Sequence, residues 1–380
     1  MAVTPDYQSL TRAAYVLHEE KLISNLKLIN SVKEEAGISI ILALKGFAMW
    51  KMFPLVGQYL DGATASSLFE ARLIHEEMGC KAHTYCAAYT DSDFDQIAAI
   101  SHHMVFNSVG QYLHFKDKIK ANYPHLSCGL RVNPGFSKVT VDMYNPTAPG
   151  SRLGIDASHL MDGLPDGIEG LHFHALCENN SYDLEETLAA FEDKYRHLLP
   201  HVKWVNMGGG HLMTRAGYDI PHLISILKKF KEKYRVDIIL EPGSAIAWQT
   251  GDLVAHVVDI VDNHAIKTLM TDVSFTAHMP DTLEMPYRPA ITGTVDAVTP
   301  YRYRIGGTSC LSGDFMYEYN FEKEVNIGDT LVFQDMIHYT IVKTTMFNGV
   351  HHPDIFLFTK DGRLILQRRF EYEDYRDRMN

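Results

Sequence analysis

Across residues 39 to 243, short apolar or β-branched runs alternate with amphipathic stretches, and this rhythm restricts the fold more than any other feature. The runs are SIILALK (39–45), YLDGATAS (59–66), AHTYCA (82–87), HMVFNS (103–108), CGLRVN (128–133), GLHFHAL (170–176), KWVNMGGG (203–210) and VDIILEPG (236–243). Between them, segments such as FEARLIHEEMG and LISILKKFKEKYR place apolar residues at helical spacing. A strand followed by a crossover helix must continue as a parallel strand, and eight such units suit a closed (β/α)8 barrel.

After about residue 250 the texture changes. Runs such as DLVAHVVDIVD, RYRIGGTSC, DTLVFQDM and DIFLFTKDGRLILQRR have period-two or β-branched character, with Gly, Pro, Asn and Asp between them. They predict an antiparallel β-domain over 251–380, behind a barrel over 36–250. The first segment, 1–35, reads as a strand (AAYVLHE) that joins the β-domain, followed by a helix.

Composition narrows the function classes. With 380 residues, 46% of them hydrophobic, the chain can bury a large core. No run of eighteen apolar residues occurs, so no membrane span is expected. The N-terminus lacks a basic start followed by an apolar core, which points to the cytoplasm. The five cysteines form no Cys-x-x-Cys pair and suit free thiols. A net charge of −12 argues against nucleic acid or an anionic membrane surface as partner and is compatible with a cationic substrate.

Barrel active sites lie where strands end. Here the strand ends carry Lys45, Asp61 or Ser66, Tyr85, Asn107, Arg131, His174, Gly208-Gly209-Gly210 and Glu241. A lysine among apolar neighbours is desolvated and becomes an amine able to form a Schiff base; the plainer alternative is a lysine that snorkels out. Three glycines let backbone N–H groups converge on a phosphate, or they form a flexible turn. A carboxylate such as Glu241 at a barrel mouth needs a partner, for which a pyridinium N–H is suitable; the alternative is a capped Pro-Gly turn. His172 and His174 share one strand face, as a metal pair, a ring stacked on a planar cofactor, or core residues. In the β-domain, Cys310 is a proton donor or a small buried residue. Asp272, Asp281 and Asp314 are ligands or turn carboxylates there, and Tyr339 is a phosphate contact or packing.

Taken in order, Lys45, His174, the glycine triplet, Glu241-Pro-Gly, Cys310 with Asp314, and Tyr339 with Phe347-Asn348-Gly349 resemble the fold-type III pyridoxal-phosphate decarboxylases. That group includes ornithine and diaminopimelate decarboxylases. The segments LALKGF, HFHALCENN, TSCLSGD and HMPDTLEMPYRP are most similar to the carboxynorspermidine (carboxyspermidine) decarboxylases. The resemblance implies pyridoxal 5'-phosphate held by Lys45, stacked by His174 and paired at its ring nitrogen by Glu241. It implies Gly208, Gly209, Gly210 and Tyr339 on the phosphate, with Arg152 nearby. It also implies a homodimer in which Cys310 comes from the opposite subunit and protonates the carbon that loses CO2. Ser244, Asp272, Asp281 and Asp314 would face a polycationic amino-acid substrate.

Three positions depart from the pattern of relatives. Cys177 stands where many have Ser, Ser244 where an acid is common, and Leu311 where ornithine-specific chains have Asp. The last argues against ornithine. An amino-acid racemase of this fold, a non-catalytic cofactor carrier and a metal-dependent barrel hydrolase are the competing expectations.

Overall fold

The computed structural model describes residues 4–139 and 141–380. Its contacts divide the chain into two compact units, one of residues 25–246 and one combining the N-terminal residues up to 24 with 247–380. β1 (Ala14–His18) precedes α1 (Glu19–Ala36), and the chain passes from one unit to the other within that helix.

The first unit is a parallel barrel. Its strands are β2 (Ser39–Ile40), β3 (Leu42–Ala43), β4 (Ala63–Ala65), β5 (Ala82–Tyr85), β6 (Ser101–Phe106), β7 (Ser127–Arg131), β8 (Ile168–His172), β9 (Trp204–Asn206) and β10 (Asp237–Leu240). β2 pairs with β10 and β3 with β4, so these two pieces are halves of one strand broken at Ile41, and the sheet closes on itself. The closed ring therefore has eight strands, as the alternation predicts.

Helices with one apolar stripe cover the outside. The helix Ile220–Tyr234 buries Leu223, Ile224, Ile226, Leu227 and Phe230, starts at Asp219 as its N-cap and ends at Arg235 in the left-handed region. The stretch FEARLIHEEMG begins as an α-helix (Leu68–Leu73), widens to a π-turn over Ile74–Met78 and stops at Gly79, whose φ is 71°. No helix among the described residues is long and apolar enough to cross a membrane.

The barrel interior is filled by Ile41, Val105, Trp204 and Ile239, with Tyr85 against them. Trp204 is seated by two glycines. A Cβ at Gly129 would lie 2.3 Å from its indole and one at Gly170 2.1 Å from it. The indole N–H donates to Ser127 Oγ at 2.8 Å. Gly170→Ala is therefore expected to destabilise the protein by about 1–3 kcal/mol, because overpacking here has no flexible neighbour to yield. A thermal melt equal to that of the parent chain would contradict this.

The second unit is a sheet built from β11 (Gly251–Asn263), β12 (Ile266–Thr271), β13 (Thr294–Val295), β14 (Arg302–Gly306), β15 (Phe315–Phe321), β16 (Thr330–Gln334), β17 (Asp354–Phe358) and β18 (Leu364–Arg368), with β1 between β11 and β17. The expectation of a purely antiparallel domain needs correction. β1 runs parallel to β17, and β12 parallel to β14. Period-two patterning reports which face of a strand is buried, not the direction of its neighbour, so these pairings left no mark on the sequence.

Candidate active site

A cavity of about 600 Å³ opens at the C-terminal ends of the barrel strands, a volume suited to a small molecule. Lys45, His172, His174 and Glu241 line it, together with the 142–153 segment that carries Tyr144 and Arg152. Two of these lie just beyond the strands that deliver them. The first barrel strand stops at Ala43, and Lys45 sits in a turn where the Gly46 and Phe47 N–H groups both donate to the Ala43 carbonyl. That turn needs glycine, because a Cβ on Gly46 would lie 2.7 Å from the Gly243 Cα. His174 likewise follows the last residue of β8, His172.

The Lys45 amine is open to the cavity yet crowded by protein atoms. Burial pushes its pKa below the usual 10.5, against the attraction of Glu241. Its Nζ lies 3.3 Å from His174 Nε2. The backbone N–H of Gly209 donates to His174 Nδ1 at 2.9 Å. Since Nδ1 accepts, a neutral His174 carries its proton on Nε2. That N–H faces Nζ and is best met by an amine with a free lone pair. Burial and the nearby Lys45 and Arg131 charges hold His174 well below the ordinary histidine range. Geometry and burial therefore both favour the uncharged, nucleophilic form of the amine more than water does.

Glu241 is nearly inaccessible, at 6% exposure. Burial raises its pKa, while a hydrogen bond from Asn206 and the charge of Lys45 oppose the rise. Asn206 Nδ2 donates to Glu241 Oε1 at 2.7 Å and lies 3.1 Å from His83 Nε2. Asn206 Oδ1 accepts from the Gly208 N–H at 2.8 Å. His172 Nε2 is 3.9 Å from Glu241 Oε2, and neither of its ring nitrogens has a hydrogen-bond partner among the described residues. Among the described residues no three His, Cys, Asp or Glu side chains converge to hold a metal ion.

The glycine triplet packs against this network. Gly208 and Gly210 have φ of 68° and 86°, and a Cβ on Gly209 would meet the Glu241 carbonyl oxygen at 2.4 Å. Arg131 is buried, with its guanidinium 4.7 Å from the Tyr85 ring centroid and donating to the His174 carbonyl at 3.3 Å. Arg152 is exposed on the cavity wall. Ser244 opens a short helix (Ser244–Ala247) beside Gly243.

The remaining predicted residues belong to the second unit. Cys310 is exposed, and its N–H donates to Asn348 Oδ1 at 2.8 Å. Asp272 accepts from the His256 N–H at 2.7 Å and pairs with His256 Nδ1 at 2.8 Å. Asp314 is buried and accepts from the Thr276 and Ser309 N–H groups, both at 3.0 Å. Asp281 Oδ2 accepts from the Tyr287 and Thr340 hydroxyls at 2.6 and 2.8 Å, while Oδ1 has no hydrogen-bond partner among the described residues. Tyr339 is half-buried with a left-handed φ of 48°.

Sequence reasoning about the site missed Asn206 and His83, and recorded Arg131 only as a strand end. The available signal for Asn206 was an amide inside a parallel-strand run two residues ahead of the glycines, a residue type depleted in strands.

A barrel that presents a desolvated lysine amine and a buried carboxylate in one cavity, on a chain that also builds a mixed sheet, has the groups that a Schiff-base cofactor enzyme of the barrel-plus-sheet class requires. Residues 97–337 match the family profile described as pyridoxal-dependent decarboxylase, C-terminal sheet domain. Carboxyaminopropylagmatine decarboxylase of Synechocystis sp. is 46% identical, over 99% of this chain and 97% of its own. Carboxynorspermidine/carboxyspermidine decarboxylase of Campylobacter jejuni is 43% identical, over 97% of this chain and 98% of its own. The crystal structure of carboxynorspermidine decarboxylase from Campylobacter jejuni, complexed with norspermidine, superposes with a TM-score of 0.90 at 42% identity, covering 97% of this chain and all of that one. The chain belongs to the pyridoxal-dependent decarboxylases.

The residues present fit that cofactor. Lys45 has an amine of the kind its aldehyde would need, and Glu241 a buried carboxylate of the kind that would accept from its ring nitrogen. The cavity has room for it beside Arg131 and Arg152.

Proposed function

We propose that this decarboxylase acts on a carboxylated polyamine, an α-amino acid with a long cationic tail such as carboxynorspermidine or carboxyspermidine. The observation that carries this reading is near full-length identity above 40% to two enzymes whose names share that substrate class. Because one of them acts on carboxyaminopropylagmatine, that compound joins the candidates. The acidic chain, at −12, suits a cationic substrate.

Bound pyridoxal phosphate supplies an electron-accepting ring for the pair left behind as CO2 departs. The protein's own groups would hold that chemistry in place. Lys45 would offer its amine to the cofactor's aldehyde. His174 would flank the ring, with its tautomer set by the Gly209 N–H. Glu241 would pair with the ring nitrogen. Gly208, Gly209, Gly210, Tyr339 and Arg152 would hold the phosphate. Cys310 of a second copy would return the proton, which makes a homodimer the working assembly, and the cytoplasm the expected compartment. Ser244, Asp272, Asp281 and Asp314 would face the substrate. Of the three aspartates, Asp281 has one buried oxygen without a hydrogen-bond partner among the described residues, whereas both oxygens of Asp272 and of Asp314 accept internal hydrogen bonds.

Product analysis tests the reading. CO2 and the matching polyamine should form from carboxynorspermidine, carboxyspermidine or carboxyaminopropylagmatine, with little turnover of ornithine, lysine or diaminopimelate. Turnover confined to the small diamino acids would overturn it. Inversion at the α-carbon without CO2 release would identify a racemase instead.

A further inference from the structure

Glu241 does not hold its position alone. Its Oε1 accepts from Asn206 Nδ2 at 2.7 Å, and the same amide nitrogen faces His83 Nε2 at 3.1 Å. Asn206 Oδ1 takes the Gly208 N–H at 2.8 Å. The amide cannot flip without setting its oxygen against the carboxylate and its NH2 against the Gly208 N–H. This orientation makes His83 Nε2 an acceptor and puts the His83 proton on Nδ1, an atom with no hydrogen-bond partner among the described residues. Asn206 is fully buried and His83 nearly so.

Resting on the pyridoxal reading above, we infer that Asn206 is a positioning residue that keeps Glu241 an ionised acceptor of fixed aim and ties it to the glycine turn. Its two N–H groups are committed to Glu241 and His83, and its oxygen to Gly208. The other groups that face Glu241 are Lys45 and Arg131, whose charges favour the ionised form, Thr64 as a hydrogen-bond donor, and the His83 and His172 rings, which burial keeps neutral. Among the described residues, Asn206 bridges the carboxylate and the glycine turn with a single side chain.

The test follows the protonated-carboxyl infrared band of Glu241 against pH in cofactor-free protein, assigned by its loss in Glu241→Gln. Asn206→Ala should move the midpoint up by roughly one pH unit, since a hydrogen bond to the charged form is lost. Asn206→Asp, nearly the same size, should move it further, because two adjacent carboxylates share a proton. If the alanine variant does not fold, the isosteric aspartate variant against wild type carries the comparison. In the holoenzyme the pH profile of kcat should shift the same way while KM for substrate stays within about twofold. A midpoint that is the same in every folded variant would overturn the inference. Failure of the cofactor reading shows separately, as wild-type protein that takes up no pyridoxal phosphate.

Discussion

Replacing Lys45 with alanine should lower CO2 release by roughly three orders of magnitude or more, a loss typical of removing a group that acts covalently. The fold should survive, because Lys45 projects into the cavity and supports no strand. Wild-type protein with cofactor should show an absorbance band near the visible edge that Lys45→Ala lacks. Borohydride treatment and peptide mapping should place the modified residue at position 45. Active protein left unmodified there would end the reading.

The same lysine has a pH signature. Its pKa in the folded protein lies below 10.5, so the neutral amine is reached at lower pH than for a free lysine. As pH falls, an ammonium forms in a desolvated cavity facing the His174 N–H, and capture of the aldehyde slows. The capture rate of cofactor-free protein should therefore have its midpoint below 10.5, and a midpoint at or above that value would contradict the desolvation argument. The linkage sign is consistent. Folding favours the uncharged lysine, so this group's contribution to stability is present at high pH and is lost as pH drops through the depressed pKa.

Glu241→Gln should reduce kcat by about 10²- to 10³-fold, the usual scale for losing one preorganised electrostatic partner. The glutamine oxygen can still accept from Asn206, so the melting temperature should change little. Glu241→Ala should be worse on both counts, because it leaves the Asn206 amide without its acceptor at a cost of about 1–3 kcal/mol. Neither change should raise KM strongly if the carboxylate acts on the ring rather than on the substrate. A kcat within a few-fold of wild type in Glu241→Gln would remove this residue from the chemistry.

Much of the barrel was legible because burial leaves a period in the sequence. Parallel strands covered on both faces read as apolar runs, and helices covered on one face read as stripes. Lys45, His174 and Glu241 stood out because reactive side chains follow such runs where a barrel opens. Asn206 and His83 did not, since a single polar residue inside a strand looks like an ordinary core exception until its partners are known. The sequence left Asp272 and Asp314 between ligands and turn carboxylates; in the fold one is taken by His256 and the other by two backbone N–H groups.

The sequence by itself determined the number of strands, the helices between them and which reactive residues end up near the barrel mouth, because these depend on local periodicity and on neighbours in the chain. Only the tertiary structure decided that β1 runs parallel to β17 and β12 parallel to β14, and that one amide from β9 joins Glu241, His83 and Gly208. Those outcomes depend on residues distant in the chain meeting at hydrogen-bond range. A one-dimensional pattern carries no record of such meetings, since the same asparagine would read identically with or without its three partners.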